Sequence, residues 1–127
     1  MAGAAAHVKY TVTAKLAAEH EAGYVAWLKD GHVQAIVDEG GACVARVEQC
    51  GCSEEGVACV KSVYVFPSRD AFSAYETGLA PKLREDGIRR YGPSSERPVA
   101  FSREVVDVEA SAVGEEAAKE GAYTGKA

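Results

Sequence analysis

The feature that most constrains the fold is a repeated switch in apolar periodicity. Residues 7–16, HVKYTVTAKL, alternate, with Val8, Tyr10, Val12, Ala14 and Leu16 on one face and His7, Lys9, Thr11, Thr13 and Lys15 on the other. Period two in Val, Tyr and Thr predicts a β-strand. From Glu19 to Glu39 the spacing becomes helical, through Tyr24, Val25, Leu28, Val33, Ile36 and Val37. Gly31 interrupts that run, so the pattern predicts a helix to about Asp30, a kink and a shorter second helix. Gly40-Gly41 ends it, since a helix C-terminus favours a residue that tolerates positive φ.

Alternation returns in residues 42–50 and 57–66, on either side of the polar, glycine-bounded stretch GCSEEG, which predicts a β-hairpin. Ser68 is placed to cap a helix carrying Ala71, Phe72, Tyr75 and Leu79 on one face. Gly78 and Pro81 disturb this helix, and Leu83, Ile88 and Tyr91 predict that it resumes. After the loop Gly92-Pro93-Ser94-Ser95, residues 99–108, VAFSREVVDV, read as a last strand. The order β-α-β-β-α-β is the ferredoxin-like split βαβ arrangement, an α+β fold. It predicts a four-stranded antiparallel sheet with two broken helices on one face.

Several strands are apolar at both parities: Ala42 and Val44 beside Cys43, Ala45 and Val47; Val60, Tyr64 and Phe66 beside Val63 and Val65. A sheet apolar on both faces is buried on both. With one face taken by the helices, the second predicts a homodimer. Residues 1–6 read as a flexible lead and 7–110 as the folded domain. Residues 111–127, small and charged, read as a disordered acidic tail whose removal leaves the fold intact.

The chain has 127 residues, enough for one core. Its formal net charge of −5 and lack of a basic cluster argue against nucleic acid, which needs a concentrated positive field. No apolar run approaches the roughly 20 residues of a membrane span. The first residues, MAGAAAHVKY, lack a secretory pattern. The expectation is a soluble cytoplasmic chain with reduced thiols, or one in an organelle matrix if a transit peptide has been removed.

All four cysteines fall in CVARVEQCGCSEEGVAC, residues 43–59. Their spacing is not that of paired zinc ligands, so no metal site is assigned, and no cofactor. Filler or loop thiols rank ahead of a metal and of a disulfide, for which Cys50 with Cys59 or Cys52 is the pairing to consider.

His32 stands at the helix break, where a ring can face the sheet and act as acid, base or ligand. The plainer role is to cap the broken helix or bond a backbone carbonyl. Trp27, Tyr10, Tyr24, Tyr64 and Tyr75 are pocket-lining or core aromatics. Arg84, Arg90 and Arg103 can anchor an anion, or pair with nearby Glu85, Asp86 and Glu104.

The stretch YVAWLKDGHVQAIVDEG, residues 24–40, resembles the signature of a small family of uncharacterised proteins, a domain of unknown function. Tyr24, Val25, Trp27, Leu28, Lys29, His32, Val33, Ile36, Val37 and Gly40 carry the match. The family has Pro two residues after the His, where this chain has Gln34. A second block, residues 79–92, fits through Ala80-Pro81, Leu83-Arg84 and Arg90-Tyr91, and a closing strand fits through Phe101 and Arg103. The resemblance spans residues 9–106 and implies a ferredoxin-like dimeric α/β barrel. That superfamily includes small monooxygenases, isomerases, chlorite-dismutase-like haem proteins and members with no known activity, so fold carries no reaction across. Two functions stay open. One is a homodimeric domain binding a small molecule or a protein through Trp27, Tyr64, Arg84 and Arg103. The other is a cofactor-independent monooxygenase- or isomerase-like enzyme, acting on a small hydrophobic or aromatic compound with His32 as acid/base.

Overall fold

The computed structural model describes residues 6–51 and 54–124. Strand β1 is His7–Ala17, followed by a 3-10 turn, Ala18–His20, and helix α1, Glu21–Trp27. A π-type turn, Leu28–His32, leads into α2, Val33–Asp38. The hairpin strands are β2, Val44–Cys50, and β3, Val57–Phe66. Helices α3, Arg69–Thr77, and α4, Leu79–Tyr91, precede β4, Ala100–Val108. The C-terminal part adds α5, Ser111–Ala117, and β5, Tyr123–Thr124. The sheet order is β4-β1-β3-β2-β5, and every pairing is antiparallel.

Both helix breaks have local causes. At Gly31 φ is +95°, a left-handed value that costs a side chain about 1–2 kcal/mol, and Asp30 before it is also non-helical. The second break falls at Gly78 alone. Pro81 lies in the first turn of α4, where the amide it lacks has no partner within the helix. Ser68 caps α3 as its position predicts, its Oγ accepting from the Ala71 amide at 3.0 Å.

The register puts Tyr10, Val12, Ala14, Val60, Tyr64, Phe66, Ala45 and Phe101 on the helix-covered face. There all but the exposed Phe101 join Tyr24, Leu28, Val33, Ile36, Phe72 and Tyr75 in or against the main core, which holds most of the fully buried side chains. The opposite face carries Val44, Val63 and Val65, all at most 4% exposed.

Two expectations are corrected here. The sheet has five strands rather than four. Residues 111–124 are also not a disordered tail: they form α5 and β5. Helix α5 meets the second face, where buried Glu116 accepts from Arg46 Nε at 2.7 Å and lies 3.5 Å from Lys9 Nζ. Tyr123 and Thr124 pair with Ala45 and Val44 at the free edge of β2. A composition poor in apolar residues is held here by a buried ion cluster and by sheet hydrogen bonds, neither of which needs an apolar stripe. Residues 125–127 of the expected tail lie outside the described residues, as do residues 1–5 of the expected lead.

Candidate functional site

Between the helices and the sheet lies a half-open cavity of about 410 Å³, within the range of small-molecule sites. All five residues singled out as site candidates line it: Trp27, His32, Tyr64, Arg84 and Arg103. The helix break aims the first two. Trp27 ends α1 and His32 ends the π-type turn, so their rings meet at 4.3 Å between centroids, tilted by 34°. His32 makes no side-chain capping hydrogen bond to α2, one of the two plainer roles expected of it. Gly87 on the facing helix lies against Trp27, and a Cβ there would make an ordinary 3.8 Å contact with the indole.

The sheet supplies the floor. Tyr10 and Tyr64 are cross-strand partners, their rings stacked at 5.8 Å. Tyr24, Tyr75 and Phe101 continue the aromatic wall. Burial is the largest cause pushing the Tyr24, Tyr64 and Tyr75 phenols upward, so all three stay neutral hydrogen-bonding groups at physiological pH. Burial also lowers the His32 imidazole from 6.5 to about 4, against a smaller opposing pull from Asp86. His32 is therefore neutral at pH 7.

Positive charge gathers at one end. Arg103, on β4, has Nη1 3.4 Å from the Tyr10 hydroxyl and 3.5 Å from Glu76. Arg84, on α4, has Nη2 3.4 Å from the same Glu76 carboxylate. Two guanidinium groups thus share one carboxylate through long contacts, and all three side chains are about a third to a half exposed. Arg90 is not part of this group: it pairs with Asp86.

Sequence reasoning did not single out Glu76, Ile88 or Phe101 as site residues. Ile88 and Phe101 are 58% and 45% exposed at the cavity, large apolar groups left open to solvent. Their signal was available in part, because Phe101 is the β4 partner of Ala14 on the helix-covered face.

The three described cysteines do not gather into one group. Cys50 and Cys59 stand opposite each other on β2 and β3, Cys43 precedes β2, and Cys52 lies outside the described residues. Among the described residues, no three His, Cys, Asp or Glu side chains are grouped to hold a metal ion.

A four-stranded βαββαβ core with an aromatic cavity under its broken helices defines a ferredoxin-like α+β domain. Two solved structures share that fold. One is a dimeric ferredoxin-like protein from an uncultured marine organism, with a TM-score of 0.61 and 11% identity, covering 81% of this chain and 95% of the other. The second is a Bacillus cereus protein provisionally assigned as an antibiotic biosynthesis monooxygenase, with a TM-score of 0.57 and 13% identity, covering 83% of this chain and 95% of the other. The chain belongs to the family described as a domain of unknown function, DUF4286, which it matches over residues 7–108. No curated protein matches it. No helix among the described residues is long and apolar enough to cross a membrane.

Proposed function

We propose that this domain is a homodimeric binding protein for a small aromatic compound bearing an acidic group. The observation that carries the reading is one cavity with an aromatic body and a cationic end. A planar ring fits beside Trp27, Tyr24, Tyr64 and Phe101, and a carboxylate replaces Glu76 as the partner of Arg84 and Arg103. Guanidinium groups suit that exchange, because their planar forks match a carboxylate bidentately. The exposed Phe101 and Ile88 gain cover from such a ligand.

Support for the dimer comes from the neighbour described as dimeric and from β4, whose Val106, paired with Lys9 on the second face, is 38% exposed. Helix α5 covers only part of the second face, so a second copy has β1 and β4 left to meet.

The other reading is a cofactor-independent enzyme in which His32 moves a proton on the bound compound. His32 lines the cavity, which favours it. Its pKa near 4 weakens it, because an efficient base has a pKa near the working pH. Binding is therefore the leading reading.

A melting screen of aromatic acids tests it, since a ligand of the native state raises stability by mass action. Benzoate- and naphthoate-type acids should raise the melting temperature, and matching amides should do so less. Arg103→Ala should weaken binding about tenfold, the lower end for an exposed charge-assisted bond. Equal shifts from acids and amides would remove the cationic end from the reading.

A further inference from the structure

Cys50 ends β2, and Cys59 stands directly across from it on β3. Directly opposed residues in an antiparallel pair have Cα atoms about 4.5–5.5 Å apart, inside the roughly 4.4–6.8 Å that a disulfide spans. Both side chains leave the face opposite the helices, Cys50 in phase with Arg46 and Cys59 with Val63. Their Sγ atoms are 2.9 Å apart, and Cys50 Sγ lies 3.3 Å from the Cys59 carbonyl oxygen. Two thiols aimed at each other across a ladder need no backbone movement to join.

We propose that Cys50 and Cys59 are a redox-active pair, which a low-molecular-weight disulfide such as oxidised glutathione converts into a cross-strand disulfide clamping the β2–β3 hairpin. The order of events follows from exposure. Cys50 is half-buried and meets the oxidant, whereas Cys59 is only 7% exposed and acts second. The Cys50 thiolate attacks one sulfur of oxidised glutathione, forming a mixed disulfide and releasing one glutathione thiolate. Cys59 then loses its proton and attacks Cys50 Sγ, releasing the second glutathione. Two protein thiols are oxidised, and one glutathione disulfide is reduced to two thiols. Burial and the neighbouring Cys59 push the Cys50 thiol up to about 11, with the Lys61 ammonium acting against them. Thiolate is scarce at neutral pH, so the exchange is slow there and quickens with rising pH.

The whole chain, equilibrated with oxidised and reduced glutathione at about pH 8, where thiol exchange is practical, tests this. After alkylation under denaturing conditions, oxidised protein should have lost the mass of two hydrogens and should take up two alkyl groups rather than the four of its reduced cysteines. Peptide mapping should link Cys50 to Cys59, and Cys52→Ser should form the same link. The oxidised form should melt several degrees higher, because a cross-link restricts the unfolded chain. Full alkylation at every glutathione ratio would overturn the proposal. So would a mapped link through Cys43 or Cys52, or a glutathione adduct on Cys50 that Cys59 never displaces.

Discussion

Replacing Glu116 with Gln should destabilise the domain, although this residue lies where the sequence suggests a dispensable tail. The Glu116 side chain is 6% exposed and Arg46 11% exposed. Glu116 accepts from Arg46 at 2.7 Å and from Lys119 at 3.3 Å, with Lys9 at 3.5 Å. Removing one partner of a buried pair costs about 3–5 kcal/mol when the other charge is stranded. Arg46 is not stranded, because Glu48 still accepts from it at 2.6 Å, and Gln can still accept one hydrogen bond. The expected loss is therefore about 1–2 kcal/mol, around the lower end for a charge-assisted bond because Gln keeps one hydrogen bond, or roughly 3–10 °C in melting temperature. The pH dependence separates charge from shape. Burial raises the Glu116 pKa, but Arg46, Lys119 and Lys9 together outweigh it and hold the carboxyl below its ordinary 4.5. A depressed folded pKa gives stability that is complete above the unfolded value and lost as pH falls through the folded one. The gap between wild type and Glu116→Gln should be full at neutral pH and close under acid. Thermal melts followed by circular dichroism from neutral to acid pH measure it. A gap under about 1 °C at pH 7 would refute the argument, since it is below the smallest shift these bonds imply. A gap independent of pH would refute it equally.

Three further outcomes follow from the same geometry. The His32 ring should titrate by NMR with a midpoint near 4, and stability should fall as pH drops from about 6.5 towards 4, because the unfolded chain binds that proton first; a midpoint near 6.5 would mean the ring is solvated. Gly31→Ala should cost about 1–2 kcal/mol, since φ is +95° in otherwise open space, and an unchanged melting temperature would mean the break is not held there. Leu28→Ala, at a side chain only 2% exposed, should cost about 2–5 kcal/mol in denaturant melts, and a loss below 1 kcal/mol would place Leu28 outside the core.

Strands β1 and β3 are legible because each keeps a largely apolar face against the helices. The Val-rich alternation of residues 57–66 coincides with β3, Val57–Phe66. The kink at Gly31 was legible because few residues other than glycine adopt its φ. The need to cover the second sheet face is legible in Val44, Val63 and Val65, at the wrong parity for the helices and at most 4% exposed. Part of that cover is the chain's own α5. It was missed because Arg46 and Glu116 are 70 residues apart and a charged pair leaves no periodic trace. The site was half legible. Trp27 and His32 are close in sequence and flank a visible break. That Arg84 and Arg103 share Glu76 depends on how α3, α4 and β4 come together in space, which no local pattern encodes.

Trp27 is the chain's single tryptophan and lines the cavity, so its fluorescence reports occupancy without a label. Titrating the whole protein with an aromatic acid, and in parallel with its amide, is the direct test of the binding site. The account predicts a saturable change in Trp27 emission with the acid, about tenfold weaker for the amide or in Arg103→Ala, which is the loss of about 1.4 kcal/mol. Emission unchanged by any aromatic acid up to millimolar concentration, roughly the −4 kcal/mol limit of useful affinity, would contradict it.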